Sequence, residues 1–180
     1  MNRNTTAQVF LATLFIFTLS ACQNKQNKQH GLMYYNDFES VKGWVKDIYL
    51  VKQPVHSGNL SERLDSGNIY GQTLKLKLKE VDPSPLRKVK YKLWCYIKST
   101  KAEGKFVISI DDPNHKNLFW AAKPIDEFVK EAGKWTEVNI EWGITHIPGA
   151  NNPNNIISIF PWNLSKEEFY VDDISVEFVK

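Results

Sequence analysis

Cysteine is nearly absent from this 180-residue chain, which contains only Cys22 and Cys95. A framework of several disulfide bonds is therefore excluded, and stability must come from core packing or from a bound metal. The four histidines are scattered and lack the spacing of a zinc site. The chain also has no large excess of positive charge, because it contains 23 Lys and Arg and 20 Asp and Glu, a net charge of +3. This balance argues against nucleic acid as a partner.

Long apolar runs are confined to the start of the chain. The run over residues 9–17 follows Arg3, is too short to cross a membrane and is typical of a secretory signal. It leads to Leu19-Ser20-Ala21-Cys22, which resembles a bacterial lipobox. We therefore predict a lipoprotein signal peptide over 1–21 and acylation of Cys22, with an ordinary secretory signal and a chance cysteine as the alternative.

Residues 22–32 are predicted to be a flexible tether, because 23–31 contain no apolar side chain. The tether has no acidic residue of the kind that resembles a surface-export signal. We therefore expect an outer-membrane lipoprotein, with the periplasmic side favoured over the cell surface. Removing residues 1–21 removes one Arg and no acid, so the net charge falls from +3 to +2.

Residues 33–180 are predicted to form one domain of eight or nine short strands, with one helical turn within 126–131. Apolar and polar residues alternate in short segments, and turn signals recur between them. This pattern predicts an all-β fold, an antiparallel β-sandwich or jelly roll. In 73–81, leucines alternate with Lys75, Lys77 and Lys79. We interpret the lysines as a solvated sheet face that discourages edge pairing, with an anionic ligand as the alternative.

The last strand, 169–178, contains a carboxylate on its apolar side. Uninterrupted alternation places Asp172 on the same side as Tyr170, Ile174 and Val176. A buried carboxylate needs a partner, which can be hydrogen-bond donors, an arginine or a metal.

Several short motifs occur in one order along the chain. They are Asp37-Phe38-Glu39, Val55-His56-Ser57-Gly58, residues 91–98, residues 133–138 and residues 169–174. Together they resemble the galactose-binding-like jelly roll of carbohydrate-binding modules. The resemblance implies a polysaccharide or oligosaccharide as ligand. It also implies a structural calcium that ties the first strand to the last, and the matching positions are Asp37, Glu39, Ser57, Asp172 and Asp173.

The strand at 91–98 contains candidate sugar-stacking rings. Trp94 and Tyr96 lie opposite Leu93, Cys95 and Ile97, so they reach a sheet face if those three residues are core. A neighbouring strand at 135–142 would add polar groups to that platform, and loops would add a rim. The predicted ligand-binding residues are Lys92, Trp94, Tyr96, Glu137 and Asn139 on the sheet, with Trp120 and Trp162 in loops. Alternatively, residues 120–131 cover Trp94 and Tyr96. Trp44, Trp135 and Trp142 are expected to be structural.

No catalytic residue is predicted. A glycosidase needs two carboxylates at a defined separation, and nothing in the sequence marks such a pair. Cys95 lies on the apolar side of its strand and is expected to be a small core residue. We therefore predict a non-catalytic, lipid-anchored carbohydrate-binding domain. The alternative is a structural or docking lipoprotein whose partner is an envelope protein complex.

Overall fold

Two antiparallel sheets make up the fold in the computed structural model, which describes residues 32–39, 49–81 and 85–180. The element bounds are β1 Met33–Asn36, β2 Leu50–Val51, β3 Ser61–Leu64, β4 Leu74–Lys77, α1 Leu78–Val81, β5 Lys88–Ile97, β6 Gly104–Asp111, β7 Asn117–Pro124, β8 Trp135–Gly143, β9 Ile156–Asn163 and β10 Phe169–Val179. A 3-10 turn spans Ile125–Glu127. The predicted all-β antiparallel sandwich is confirmed.

Strand order defines the two layers. Sheet A has the order β2-β3-β10-β5-β8, and β1 pairs with β10 as well. Sheet B has the order β4-β9-β6-β7. Each sheet therefore has one face in the core and one outer face, which we name face A and face B.

The core lies between the inner faces, as the period-two pattern requires. Leu93, Cys95 and Ile97 of β5 are buried there, as are Phe106 and Ile108 of β6. Cys95 has no exposed surface, and burial raises the pKa of its thiol. Cys95 is therefore a core residue, as expected. Trp142 is also in the core, as predicted.

The alternation predicted for the last strand is wrong at one point. A register shift interrupts the β10–β5 pairing between Asp172 and Ser175, and Asp173 has a positive φ of 48°. This β-bulge inserts an extra residue and reverses which side chains face inward. Val171 precedes it and Ile174 follows it in the core. Asp172 therefore lies on the side of face A, although it is fully buried.

Three local predictions also need correction. Lys79 is expected on the sheet face with Lys75 and Lys77, but β4 ends at Lys77 and Lys79 lies in α1. Trp120 was assigned to a loop, but it lies in β7. Trp162 was also assigned to a loop, but β9 continues through it. β7 and β9 pair with opposite edges of β6, and this pairing, rather than the local sequence, extends both strands.

The predicted signal peptide, Cys22 and most of the tether lie outside the described residues, as does Trp44. Within the described ranges, no helix has the length and apolar character needed to span a membrane.

Candidate functional site

Face A contains the predicted platform residues. Trp94 and Tyr96 of β5 are half-buried there. The β5–β8 pairing aligns Trp94 with Glu137 and Lys92 with Asn139. The prediction that these two strands are adjacent is therefore confirmed.

The ring of Trp94 is already stacked on a protein side chain. His56 lies parallel to it, with ring centroids 3.8 Å apart and 13° between the ring planes. Tyr96 contacts Trp135 and Tyr170 at centroid distances of 5.6 and 5.9 Å. The alternative prediction, that residues 120–131 cover Trp94 and Tyr96, is wrong. Residues 117–124 form an edge strand of the other sheet.

The polar platform residues of face A bond to one another. Lys92 Nζ lies 2.9 Å from Glu137 Oε1, and the Asn139 side-chain amide donates to the same oxygen at 2.8 Å. These bonds hold the pKa of Glu137 below its usual value. Face A also has a surface depression of about 480 Å³ beside Lys92 and Asn139. A ligand there would compete with existing bonds for the platform's polar atoms.

The predicted calcium residues meet at one end of sheet A. Asp172 Oδ2 accepts the backbone N–H groups of His56 and Ser57 at 2.9 and 3.2 Å. Asp172 Oδ1 accepts the N–H of Asp173 at 2.8 Å. Burial raises the pKa of Asp172 to about 6, although these donors act in the opposite direction. The buried carboxylate thus has backbone donors, one of the three partners considered from sequence.

Asp173 and Glu39 are also hydrogen-bonded. Asp173 Oδ2 lies 2.6 Å from His56 Nδ1, and its Oδ1 accepts the hydroxyls of Tyr35 and Ser57, each at 2.8 Å. Burial tends to raise the pKa of Asp173, but these bonds outweigh it and lower that pKa. Glu39 Oε1 accepts the N–H groups of Asn59 and Leu60.

As placed, these groups do not fit a calcium ion. Calcium requires six to eight oxygen ligands, whereas N–H donors point at the oxygens of Asp172 and Glu39. Asp37 Oδ1 likewise accepts the N–H of Glu39. Across the described ranges, no group of three or more His, Cys, Asp or Glu side chains is arranged to hold a metal. Calcium stays a prediction, and an unfolding midpoint that is identical with calcium and with a chelator would contradict it.

Face B brings together residues that the sequence did not connect. Pairing of β9, β6 and β7 forms one row across the sheet from Ser158 through Ser109 to Trp120. A second row aligns Trp162 with Lys105, and an isolated bridge adds Tyr70 beside Trp162.

Aromatic rings stand at both sides of face B. Trp120 is 49% exposed and Tyr70 is 53% exposed. Tyr70 stacks on Trp162 with centroids 5.7 Å apart and also contacts the edge of Phe160 at 5.9 Å. Trp120 and Trp162 lie on strands separated by β6 and in rows four residues apart, so about 10 Å separates them across the strands and about 13 Å along them. A sugar chain that contacts both rings would therefore cross face B obliquely.

The floor between these rings is recessed. Val107 faces outward yet is fully buried, and Ser109 and Ser158 are only 9% and 8% exposed. Small floor residues flanked by large exposed rings form a concave surface. Asp111 and Asn117 lie at one end of the floor, where the Asn117 amide donates to Asp111 Oδ1 at 2.9 Å. Face B therefore offers stacking surfaces and hydroxyls to one ligand.

A buried carboxylate supports the segment that contains Tyr70. Glu62 is 1% exposed, and both of its oxygens lie 2.9 Å from the N–H of Gln72. Burial raises the pKa of Glu62 to about 7, against the lowering effect of hydrogen bonds from Gln72 and Asn68. On the other side of the segment, the N–H of Gly71 donates to the carbonyl of Pro161 at 3.0 Å. Tyr70 is therefore held between the core and β9.

The structure divides the predicted ligand residues between two faces. Lys92, Trp94, Tyr96, Glu137 and Asn139 lie on face A, whereas Trp120 and Trp162 lie on face B. Tyr70, Ser109 and Ser158 are not among the ligand residues predicted from the sequence. Alternation in 104–111 marks the outward side of β6, but only sheet order shows which residues lie beside it.

Solved structures share this architecture. The CBM22-1 xylan-binding domain of Paenibacillus barcinonensis Xyn10C is 14% identical, with a TM-score of 0.55 over 84% of this chain and 97% of that one. The C-terminal family 22 module of Clostridium thermocellum Xyn10B, whose cleft has a role in ligand binding, is 12% identical, with a TM-score of 0.56 over 81% and 91%. A CBM22 xylan-binding domain matches at 11% identity and a TM-score of 0.56 over 84% and 96%.

The chain has the jelly-roll fold of these modules. No family model matches the sequence, and no curated protein matches it significantly. At such low identity the likeness establishes the fold, and function has to be argued from the site.

Proposed function

We propose that this protein is a non-catalytic carbohydrate-binding domain that holds a polysaccharide or oligosaccharide on face B. The observation that carries the proposal is the pair of half-exposed rings, Trp120 and Tyr70, on either side of a recessed floor with Ser109 and Ser158. Sugar rings stack on the aromatic faces, while the serine hydroxyls hydrogen-bond to sugar hydroxyls. The xylan-binding neighbours support this ligand class and make xylan the first glycan to test.

Face B is better prepared for a ligand than face A. Trp94 is covered by His56, and Lys92, Glu137 and Asn139 already bond to one another. On face B, by contrast, Trp120 and Tyr70 are about half exposed to solvent. A ligand can therefore stack on the exposed parts of these two rings without separating a lysine from a carboxylate.

A binding role also fits the shortage of acids on face B. Of the described side chains in the rows from β4 to β7, Asp111 is the one carboxylate. A glycosidase needs two carboxylates about 5 to 9.5 Å apart. With Cys22 acylated as predicted, the protein would hold its glycan near the outer membrane.

The test compares tryptophans from the two faces. Affinity gels with xylan and other plant, algal and host polysaccharides are run on the purified wild type, Trp120→Ala and Trp94→Ala. We expect one glycan class to retard the wild type and Trp94→Ala, and Trp120→Ala to lose about tenfold or more in affinity.

Two outcomes would contradict the proposal. If Trp94→Ala loses glycan binding and Trp120→Ala keeps it, the site lies on face A, as the sequence alone predicted. A folded wild type that binds no polysaccharide would reject carbohydrate binding and favour the docking lipoprotein, which predicts co-purification with an envelope protein complex. Circular dichroism of each variant checks that the loss is not unfolding.

A further inference from the structure

Four lysines of face A have carboxylate partners. Three lie in β5 and the fourth, Lys98, directly follows it, and each lies within 3.0 Å of a glutamate. The pairs are Lys88–Glu141, Lys90–Glu177, Lys92–Glu137 and Lys98–Glu168. Positive charge on this strand is therefore compensated locally.

The lysines of face B differ in this respect. Lys75 and Lys77 of β4 and Lys105 of β6 form no ion pair with any carboxylate in the described ranges. Their alternation with leucines explains why Lys75 and Lys77 point outward. Glu80 lies beside Lys77, but its carboxylate accepts the backbone N–H of Lys77 at 2.8 Å.

These lysines lie beside the proposed sugar-binding surface. Lys75 pairs in register with Ser158 of the floor, and Lys105 pairs with Trp162. The Lys105 ammonium also lies 5.9 Å from the centre of the Trp120 ring. The acid that shares the floor, Asp111, already accepts hydrogen bonds from Asn117 and Ser109. A chain stacked on Trp120 and Trp162 thus lies close to Lys75 and Lys105, two ammonium groups that form no ion pair in the described ranges.

We propose that face B selects a polysaccharide with anionic groups, carboxylate or sulfate, over the corresponding neutral chain. This inference rests on the proposed function and narrows its ligand class. An ammonium attracts either anion as a point charge, so lysine does not by itself choose between them. Because face B is open to solvent, the attraction is screened by salt.

The experiment uses a polyuronate, the same polymer after chemical reduction of its carboxyl groups, and a sulfated galactan. Affinity is measured at 20 mM and 500 mM NaCl. The double variant Lys75→Gln/Lys105→Gln removes two charges from face B. Its matched control, Lys88→Gln/Lys90→Gln, removes two charges from face A, so both double variants have the same net charge.

We expect the polyuronate or the sulfated galactan to bind at least about tenfold more tightly than the reduced polymer at low salt, and the preference to shrink at high salt. The face B double variant should lose that preference and still bind the reduced polymer. The control should keep the preference for the charged polymer and the binding of the reduced one. Tighter binding of the sulfated polymer would identify sulfate as the anion.

Suppose that the wild type binds the charged and the reduced polymer equally and that Trp120→Ala loses both. That result would overturn this inference and leave the proposed function intact. Equal loss in both double variants would also overturn it, because general attraction to net charge would then explain the preference. No binding to any of the polymers would count against the proposed function itself.

Discussion

Faces A and B both combine aromatic rings with lysines, yet they use them differently. On face A, His56 stacks on Trp94 and glutamates pair with the lysines of β5. On face B, Trp120 and Tyr70 are about half exposed, and Lys75 and Lys105 have no carboxylate partner in the described ranges. Residue types alone therefore do not identify a binding surface. What distinguishes the two faces is how far the rings are exposed and whether the lysines are paired with carboxylates.

The largest expected effect concerns Glu62, which supports Tyr70 on face B. The pKa of Glu62 is about 7 in the folded protein and near 4.5 when unfolded. Between these values the folded state binds more protons, so this group makes the free energy of unfolding fall as pH rises from 4.5 to 7. The fall amounts to at most about 3 kcal/mol. Urea unfolding across this range should show a flatter profile for Glu62→Gln, and parallel profiles would contradict the prediction.

Gly71→Ala should disturb face B while leaving face A unchanged. A Cβ at Gly71 would lie 2.5 Å from Pro161 Cγ and 2.8 Å from Glu62 Oε2, too close for real atoms. Relief of this overlap shifts the segment containing Tyr70 and costs roughly 1–3 kcal/mol of stability. Thermal unfolding and glycan binding should both weaken. The matched control is Gly143→Ala, whose added Cβ meets nothing within 4 Å; an equal effect of both changes would refute this account.

His56→Ala would make face A resemble face B. It uncovers Trp94 and removes the 2.6 Å contact with Asp173, so we expect a stability loss of about 1 kcal/mol. Quenching of tryptophan fluorescence by iodide should increase, because one more indole is accessible. Glycan affinity should remain within twofold of wild type. A larger loss of affinity would assign His56, and with it face A, to the ligand site.

The smallest effect is expected from the ion pairs of face A. Replacing Lys92 by Met should change the free energy of unfolding by less than about 1 kcal/mol, because exposed pairs gain little in water. The difference from wild type should vanish in 1 M NaCl. A loss that persists at high salt would show that Lys92 contributes through packing instead of charge.

Period-two alternation was sufficient to predict much of the fold. It placed Leu93, Cys95 and Ile97 inside and Trp94 and Tyr96 outside, because a strand embedded in a sandwich must bury one side. It failed at Asp172, where a bulge reverses the alternation, since an extra residue is not visible in a pattern of apolar and polar letters. It also failed at Trp120 and Trp162, whose strands are extended by pairing with β6.

The sequence by itself determined that residues 33–180 favour an antiparallel sandwich and that Trp94 points away from the core, because strand periodicity is a local property. Only the tertiary structure decided that His56 covers Trp94, and that Tyr70 and Trp120 enclose a serine floor with lysines nearby. Those relations join residues from separate strands and loops, and sheet order is set by long-range pairing that no short segment records.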